Sequence, residues 1–310
     1  MEGIKRSVES IKAAIEAMDL TKFYGASRGV IDLNLSVQQG EIFGFLGPNG
    51  SGKTTTIRLF LNLITPSRGN IFLLEKESKK GDKALLQMIG YLAGEIGFYH
   101  DLTGMEYLHH LMKLRGGNPK GISPQKMDRL IERFKIDLHR KIKGYSSGMK
   151  QMVAIIQAFM HDPLLLILDE PTRGLDPLMQ EQFHDLLREE KSRGRTIFLS
   201  SHNLREVEKI CDRVGVIKEG RLILIEEIEK YRTLVGKKIS VVTKGQTTGV
   251  SETLNELSGV ENLNRRGARV EFFYKGSMQR LIEHVAALDL ADLTCETPSL
   301  EDVFIRLYED

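Results

Sequence analysis

The order of apolar and polar positions divides the chain into stretches of different period. Ile4, Val8, Ile11 and Ile15 recur at helical spacing with Lys5, Arg6, Glu9 and Lys12 between them. Residues 1 to about 15 are therefore expected to form an amphipathic helical extension that packs on its own domain or docks elsewhere. Ile15 to Tyr24 reads as a strand, and Val30 to Val37 alternates apolar and polar, as a half-buried strand does. Glu41 to Leu46 and Leu164 to Leu168 are short apolar runs of the kind found in strands buried on both faces. Helices are expected from Thr55 to Leu61, over much of 104–142, and from Met152 to Met160. Ser123-Pro124 begins one that carries Met127, Leu130, Ile131 and Phe134 on one face. Asp176-Pro177 begins another, ended by Gly194, and Arg195 to Ser200 follows as a strand.

Past residue 225 the pattern changes. Lys238 to Thr243 reads as a strand and Ser251 to Leu257 as a helix. Val260 to Asn264 and Val270 to Tyr274 form a hairpin across Arg265-Arg266-Gly267. A helix from Met278 to Leu288, a strand from Leu290 to Cys295 and a last helix from Ser299 to Tyr308 complete the chain. The order β-α-β-β-α-β is that of a small ferredoxin-like α+β domain. It carries no catalytic constellation, and an accessory dimerisation or regulatory role is expected.

Composition narrows the class. Of 310 residues, 41% are hydrophobic and 28% charged, which is globular rather than disordered composition. No apolar run approaches the length of a membrane span, and the N-terminus lacks the apolar core of a signal peptide. A net charge of +2 with interspersed signs argues against a dedicated nucleic-acid binder. Cys211 and Cys295 lie far apart and fit two buried, reduced thiols better than a metal site. His109 and His110 are adjacent, so on a helix they diverge and cannot chelate one metal; they read as surface or packing residues.

The chemistry is concentrated in a few segments. Gly47-Pro48-Asn49-Gly50-Ser51-Gly52-Lys53-Thr54 fits G-x-x-x-x-G-K-[ST], between a buried strand and a helix. In that setting backbone N–H groups and the helix N-terminus surround phosphate oxygens. Lys53 is expected to reach the β- and γ-phosphates and the Thr54 hydroxyl to bind Mg²⁺. Asp169 and Glu170 end an apolar strand, where open α/β sheets bind ligand. Asp169 is placed to hold Mg²⁺ through water, and Glu170 to orient or deprotonate a water attacking the γ-phosphate. His202 follows another strand end and is placed to contact the γ-phosphate. Tyr24, just before a loop, is an aromatic able to stack on a purine. Tyr145-Ser146-Ser147-Gly148-Met149 opens an apolar helix whose N-terminus can meet a phosphate.

Taken in order, these segments resemble an ABC transporter ATPase from about residue 15 to 225. The fold so implied is an α/β ABC-type P-loop ATPase at residues 16–228, with a helical subdomain at about 95–160 and the accessory domain at 229–310. Tyr24 matches the adenine-stacking aromatic, Gly47 to Thr55 the Walker A loop, and Leu165 to Glu170 the Walker B strand and catalytic glutamate. Tyr145 to Met149 match the signature, Gly174-Leu175-Asp176 the D-loop and His202 the switch histidine. Two departures stand out. Gly94 occupies the usual metal-sensing glutamine position, so that either Glu95 beside it substitutes as a metal contact or that contact is lost. The signature keeps Ser146 and Gly148 but replaces its other usual residues.

The resemblance implies a mechanism as well. ATP and Mg²⁺ would bind between two ATPase domains paired head to tail, Ser146 and Gly148 of one closing over the phosphate loop of the other, with Asp176 at the junction. A homodimer or paralogous heterodimer is expected, cytoplasmic and peripheral on the cytoplasmic face of the membrane, driving a separately encoded permease. The ending Pro298 to Phe304 resembles the tails of drug, antibiotic and polysaccharide export ATPases. The alternative is a soluble ABC-type ATPase acting on ribosomes or DNA. Translation factors of that type carry two such domains per chain. DNA-maintenance ATPases insert long coiled coils between phosphate loop and signature, whereas here Lys53 and Ser146 are about 90 residues apart without sustained heptads.

Overall fold

The computed structural model describes residues 12–115, 124–230, 236–244, 254, 257–286 and 288–297. The chain divides into two compact units between Ile225 and Glu226.

The first unit contains two sheets. Strands β1 (Ala13–Tyr24), β2 (Ser27–Gln38), β4 (Arg68–Leu73) and β5 (Lys76–Glu77) form an antiparallel sheet of order β2-β1-β4-β5. The second sheet runs β10-β9-β3-β8-β7-β6. Its strands are β3 (Ile42–Leu46), β6 (Ile89–Leu92), β7 (Leu165–Asp169), β8 (Thr196–Ser201), β9 (Arg213–Lys218) and β10 (Arg221–Glu227). The pairs β3–β8, β3–β9, β6–β7 and β7–β8 are parallel, so the carboxyl ends of these five strands share one edge. Helix α1 (Lys53–Phe60) leaves β3 through the phosphate loop.

Strand period explains the packing. Phe43, Phe45, Leu165, Ile167 and Phe198 alternate along β3, β7 and β8 on one face. They join one core with Ile57 and Phe60 of α1 and Ile15, Leu20, Val30 and Leu33 of the antiparallel sheet. Phe198 is the hub: its ring stacks on Phe43 at 5.9 Å and meets Phe60 edge-on at 5.4 Å. That cluster fixes α1, and hence the phosphate loop, against the sheet.

The remaining helices of this unit are α2 (Lys83–Gln87), α3 (Gly104–Leu114), α4 (Pro124–Phe134), α5 (Ser147–Phe159), α6 (Pro177–Ser192) and α7 (Leu204–Ile210). Thr103 and Glu106 form a reciprocal capping box at the start of α3. On α4, Met127, Leu130 and Phe134 are buried, as their spacing predicts. His109 and His110 are exposed. No helix among the described residues is long and apolar enough to cross a membrane.

Two expectations change. Ala13, Ala14 and Ile15 belong to β1 rather than to an N-terminal helix, because Ile15 pairs with Val37 on one side and Leu73 on the other. Residues 1–11 of that predicted helix lie outside the described residues, as do the Ser123 cap, most of the 251–257 helix and the 299–308 helix. Cys211 is buried but Cys295 is exposed, since it lies on an outer strand of the second unit.

That second unit is built from β11 (Lys237–Thr243), β12 (Val260–Arg266), β13 (Arg269–Tyr274), α8 (Met278–Val285) and β14 (Leu290–Glu296). The sheet order is β12-β13-β11-β14, and its pairs are antiparallel. Ile239, Val241, Val270, Phe272, Leu281 and Val285 form a separate core.

Candidate functional site

The site begins where β3 stops. Gly52 caps α1 with φ 114°, and a Cβ there would lie 2.7 Å from the Gly29 carbonyl oxygen. Only glycine fits both the backbone and the space. The loop turns around its own bonds, Ser51 N–H donating to Pro48 O at 3.2 Å and Thr56 Oγ1 to Gly52 O at 2.9 Å. Lys53 is 6% exposed. Its ammonium donates to Gly47 O at 2.7 Å and Pro48 O at 3.2 Å, and lies 3.5 Å from Glu170 Oε1. A cation held over a helix N-terminus by loop carbonyls is a ready phosphate site.

Adjacent strands bring in the carboxylates. Thr54 Oγ1 donates to Asp169 Oδ2 at 2.8 Å, and Ser200 Oγ to Asp169 Oδ1 at 2.5 Å. The Glu170 N–H is shared by Ser200 O and Oγ, at 3.2 and 3.1 Å. His202 Nδ1–H donates to Glu170 Oε2 at 2.6 Å. A carboxylate can only accept, so this bond places the imidazole proton on Nδ1. Three strand ends thus gather Lys53, Glu170 and His202, the first pair joined by an ion pair and the second by a hydrogen bond.

A cavity of about 350 Å³ opens over this group. Asn49, Gly50, Gly52, Lys53, Thr54, Thr55, Glu95, Asp169 and Glu170, all expected in the site, line it. Gly47, Pro48 and Ser51 stand behind that wall as the frame of the loop, and Ser51 Oγ is buried without a hydrogen-bond partner. Thr54 and Asp169 suit Mg²⁺, which takes one or two protein oxygens and keeps the rest of its shell for water and phosphate. Glu95 is exposed on the same wall. Gly94 lies against Asp169: a Cβ on it would sit 3.2 Å from Asp169 Oδ2.

Other predicted residues lie apart from the cavity. Tyr24 is 46% exposed, with the Lys22 ammonium 5.4 Å from its ring centroid. It stays close to the loop, since a Cβ on Gly29 would lie 3.1 Å from both Tyr24 Cε2 and Thr55 Cγ2. Ser146 caps α5, accepting from Met149 N–H at 3.2 Å, and Asp176 caps α6, accepting from Met179 N–H at 2.9 Å. A Cβ on Gly148 would meet Gly174 O at 3.0 Å, so signature and D-loop touch within one chain. Ser146, Gly148 and Asp176 do not line the cavity.

Sequence reading passed over several contributors. Arg58, Tyr91 and Arg173 line the cavity as well. Burial pushes the Tyr91 phenol up, and the Asp169 charge adds to the shift, so it stays a hydrogen-bond donor. Tyr91 had a signal, standing on the strand before the Gly94 loop. Ser200 had none beyond lying two residues before His202. A larger cleft of about 670 Å³ between α4 and α6 holds paired charges, including Lys126 with Asp162 and Glu190. Lys126, Arg133 and Arg193 are ion-paired there, and the lining forms no nucleophile–base arrangement.

Parallel strands ending at a glycine loop, a buried lysine and a carboxylate pair define a P-loop nucleotide-binding ATPase. Comparison with known proteins places it further. The family model described as ABC transporter matches residues 30–173. A bacitracin transport ATP-binding protein of Bacillus licheniformis is 36% identical over 305 residues, covering 94% of this chain and 96% of that protein. A solved ATP-binding subunit of an ABC transporter superposes with a TM-score of 0.63 at 30% identity, covering 71% of this chain and 92% of that one. The cbiO1 protein of Clostridium perfringens, part of the ABC transporter complex cbiONQ, superposes at 0.60 with 28% identity, over 71% and 90% of the chains. The chain belongs to the ABC transporter family and is an ATP-binding, ATP-hydrolysing subunit of such a transporter.

Proposed function

We propose that this subunit hydrolyses ATP as a Mg²⁺-dependent head-to-tail dimer and drives export through a separately encoded membrane permease. One observation carries the chemistry: the Glu170 carboxylate is held by His202 at 2.6 Å and lies 3.5 Å from Lys53 at the mouth of the phosphate loop. Glu170 takes the proton of a water that attacks the γ-phosphorus in line, and the bond to the ADP oxygen breaks. Lys53 exchanges Gly47 and Pro48 carbonyls for phosphate oxygens and stabilises the charge on the transferring group, while the His202 Nδ1–H holds Glu170 toward the attacking water. Thr54 and Asp169 would hold Mg²⁺, with Glu95 beside them; the ion neutralises phosphate charge when bound.

Ser146, Gly148 and Asp176 complete a second chain's site in this reading. Their absence from the chain's own cavity supports that assignment. Tyr24 stacks on the adenine. The permease reading rests on family membership and on the lack of a spanning helix among the described residues. Membership in the cbiONQ complex is recorded for the cbiO1 protein and supports a multi-subunit assembly here. The Bacillus licheniformis relative is a bacitracin transport protein, which supports an antibiotic-like cargo. Such an assembly keeps the subunit peripheral, on the cytoplasmic face. The strand order β12-β13-β11-β14 supports a ferredoxin-like accessory domain.

The test is purification of the Glu170→Gln protein in mild detergent with ATP present. The variant is expected to bind ATP, lose turnover and bring down a multi-span membrane protein with two ATPase chains. Normal hydrolysis by the variant would overturn the base assignment. Ribosomes or DNA in place of a membrane protein would overturn the permease reading.

A further inference from the structure

Behind Glu170 and His202 lies a buried cluster that the proposed chemistry does not use. Glu206, on the first turn of α7, is 5% exposed. One of its oxygens, Oε2, accepts two hydrogen bonds from different segments. Ser201 Oγ donates at 2.9 Å from the residue just before His202. Thr172 Oγ1 donates at 3.1 Å from the loop just after Glu170. Ser201 Oγ also accepts from the Asn203 N–H at 2.9 Å, and Asn203 Oδ1 caps α7 by accepting from the Glu206 N–H at 3.4 Å. His202 is therefore bracketed on both sides by groups anchored to Glu206. The other oxygen faces His184 Nε2 of α6 at 3.6 Å and has no hydrogen-bond partner.

The loop after Glu170 has a second fastening. Gln151 Nε2, on α5, donates to Pro171 O at 2.7 Å. Residues 171–172 are thus held from α5 on one side and α7 on the other. Glu170 needs such support, because its φ of 50° lies in the left-handed region.

We propose that Glu206 is a positioning residue for ATP hydrolysis. Its Oε2 ties the Glu170 loop to the His202 strand end and so fixes the distance between base and histidine. This rests on the reading of Glu170 as base and His202 as its partner. A carboxylate serves here because one sp² oxygen accepts two hydroxyl donors from converging directions, and its charge strengthens both bonds. None of the cluster's groups lines the phosphate-loop cavity. Loosening the clamp should slow the chemical step and leave ATP binding alone. Misplacing a catalytic group by an ångström costs on the order of 100-fold.

The experiment is steady-state Mg-ATPase kinetics of the full chain, with ATP affinity measured separately by fluorescent-nucleotide binding. Glu206→Ala should lower kcat by roughly 10- to 100-fold with affinity changed less than about 2-fold. Glu206→Gln keeps an acceptor at the same reach and should restore most of kcat, whereas Glu206→Asp, one methylene short, should not. In a His202→Ala background, Glu206→Ala should cost little more, because both act through one unit. Thr172→Val and Ser201→Ala approach the clamp from its donors and should each lower kcat several-fold, which decides the matter if Glu206→Ala fails to fold. Normal kcat in every folded variant would overturn the clamp, as would equal losses in kcat and affinity. Glu170→Gln, run alongside, keeps the two ideas separate: an inactive Glu170→Gln beside a fully active Glu206→Ala sinks the clamp alone, and an active Glu170→Gln sinks the base reading.

Discussion

Asp169 is held by hydroxyls on both oxygens, Thr54 on Oδ2 and Ser200 on Oδ1. The oxygen that receives Thr54 is also the one a Cβ on Gly94 would approach to 3.2 Å. That distance is tighter than ordinary van der Waals contact, so Gly94→Ala must push the carboxylate or the loop. The Mg²⁺ concentration for half-maximal ATPase is expected to rise by roughly 5-fold, about 1 kcal/mol, with metal-free nucleotide binding unchanged. Unaltered metal dependence would mean that this loop yields freely. Gly94→Gln carries the same Cβ, so any ligand its amide adds comes with that crowding. The motif residues were legible because each lies in one short segment whose residue types serve one chemistry. Ser200 and Glu206 were not, because their roles arise from strand ends and helix turns brought together by the sheet.

Elements were legible where a run was long enough to show a period. Strand β5 has two residues and α2 five, too few for either period to register. Ile15 reads both as the end of a helical spacing from Val8 and Ile11 and as the start of a strand, and pairing on both sides makes it strand. The junction of α5 with β6 shows a contact that sequence could not reveal. His161, just past α5, is 8% exposed and donates from Nε2 to Ile89 O at 3.0 Å. Burial, with nearby Arg115, lowers its pKa from 6.5 to about 4. Above pH 6.5 the folded and unfolded chains both keep this ring neutral. As pH falls from 6.5 toward 4, the unfolded chain gains a proton that the folded chain refuses, so stability is lost across that window. The loss between pH 7 and pH 5 should be about 2 kcal/mol. His161→Gln can still donate to Ile89 O and does not titrate. Urea unfolding at the two pH values should show a shallower pH dependence in the variant by that amount. Identical slopes in both proteins would mean that His161 ionises freely in the folded state.

At the scale of the whole molecule, the described residues of each unit have a core of their own, and the nucleotide site stands on that of the first. The first core joins both sheets of residues up to Ile225 through α1, the helix that starts at Lys53. The second is built from β11, β13 and α8 with Leu254 and Leu257. Units with independent cores melt as independent transitions unless the contacts between them are large and apolar. A ligand stabilises only the body whose folded form it binds, by about 2.7 kcal/mol at a hundred times its Kd. Calorimetry of the Glu170→Gln protein, which should hold ATP without consuming it, is expected to show two transitions. Saturating Mg-ATP should raise one of them by several degrees and leave the other in place. Removing residues from 229 onward should delete the unmoved transition and preserve ATP binding. A single transition that rises as a whole with ATP would show instead that the accessory unit is thermodynamically coupled to the ATPase. Its sheet would then have to be counted among the parts that sense the nucleotide.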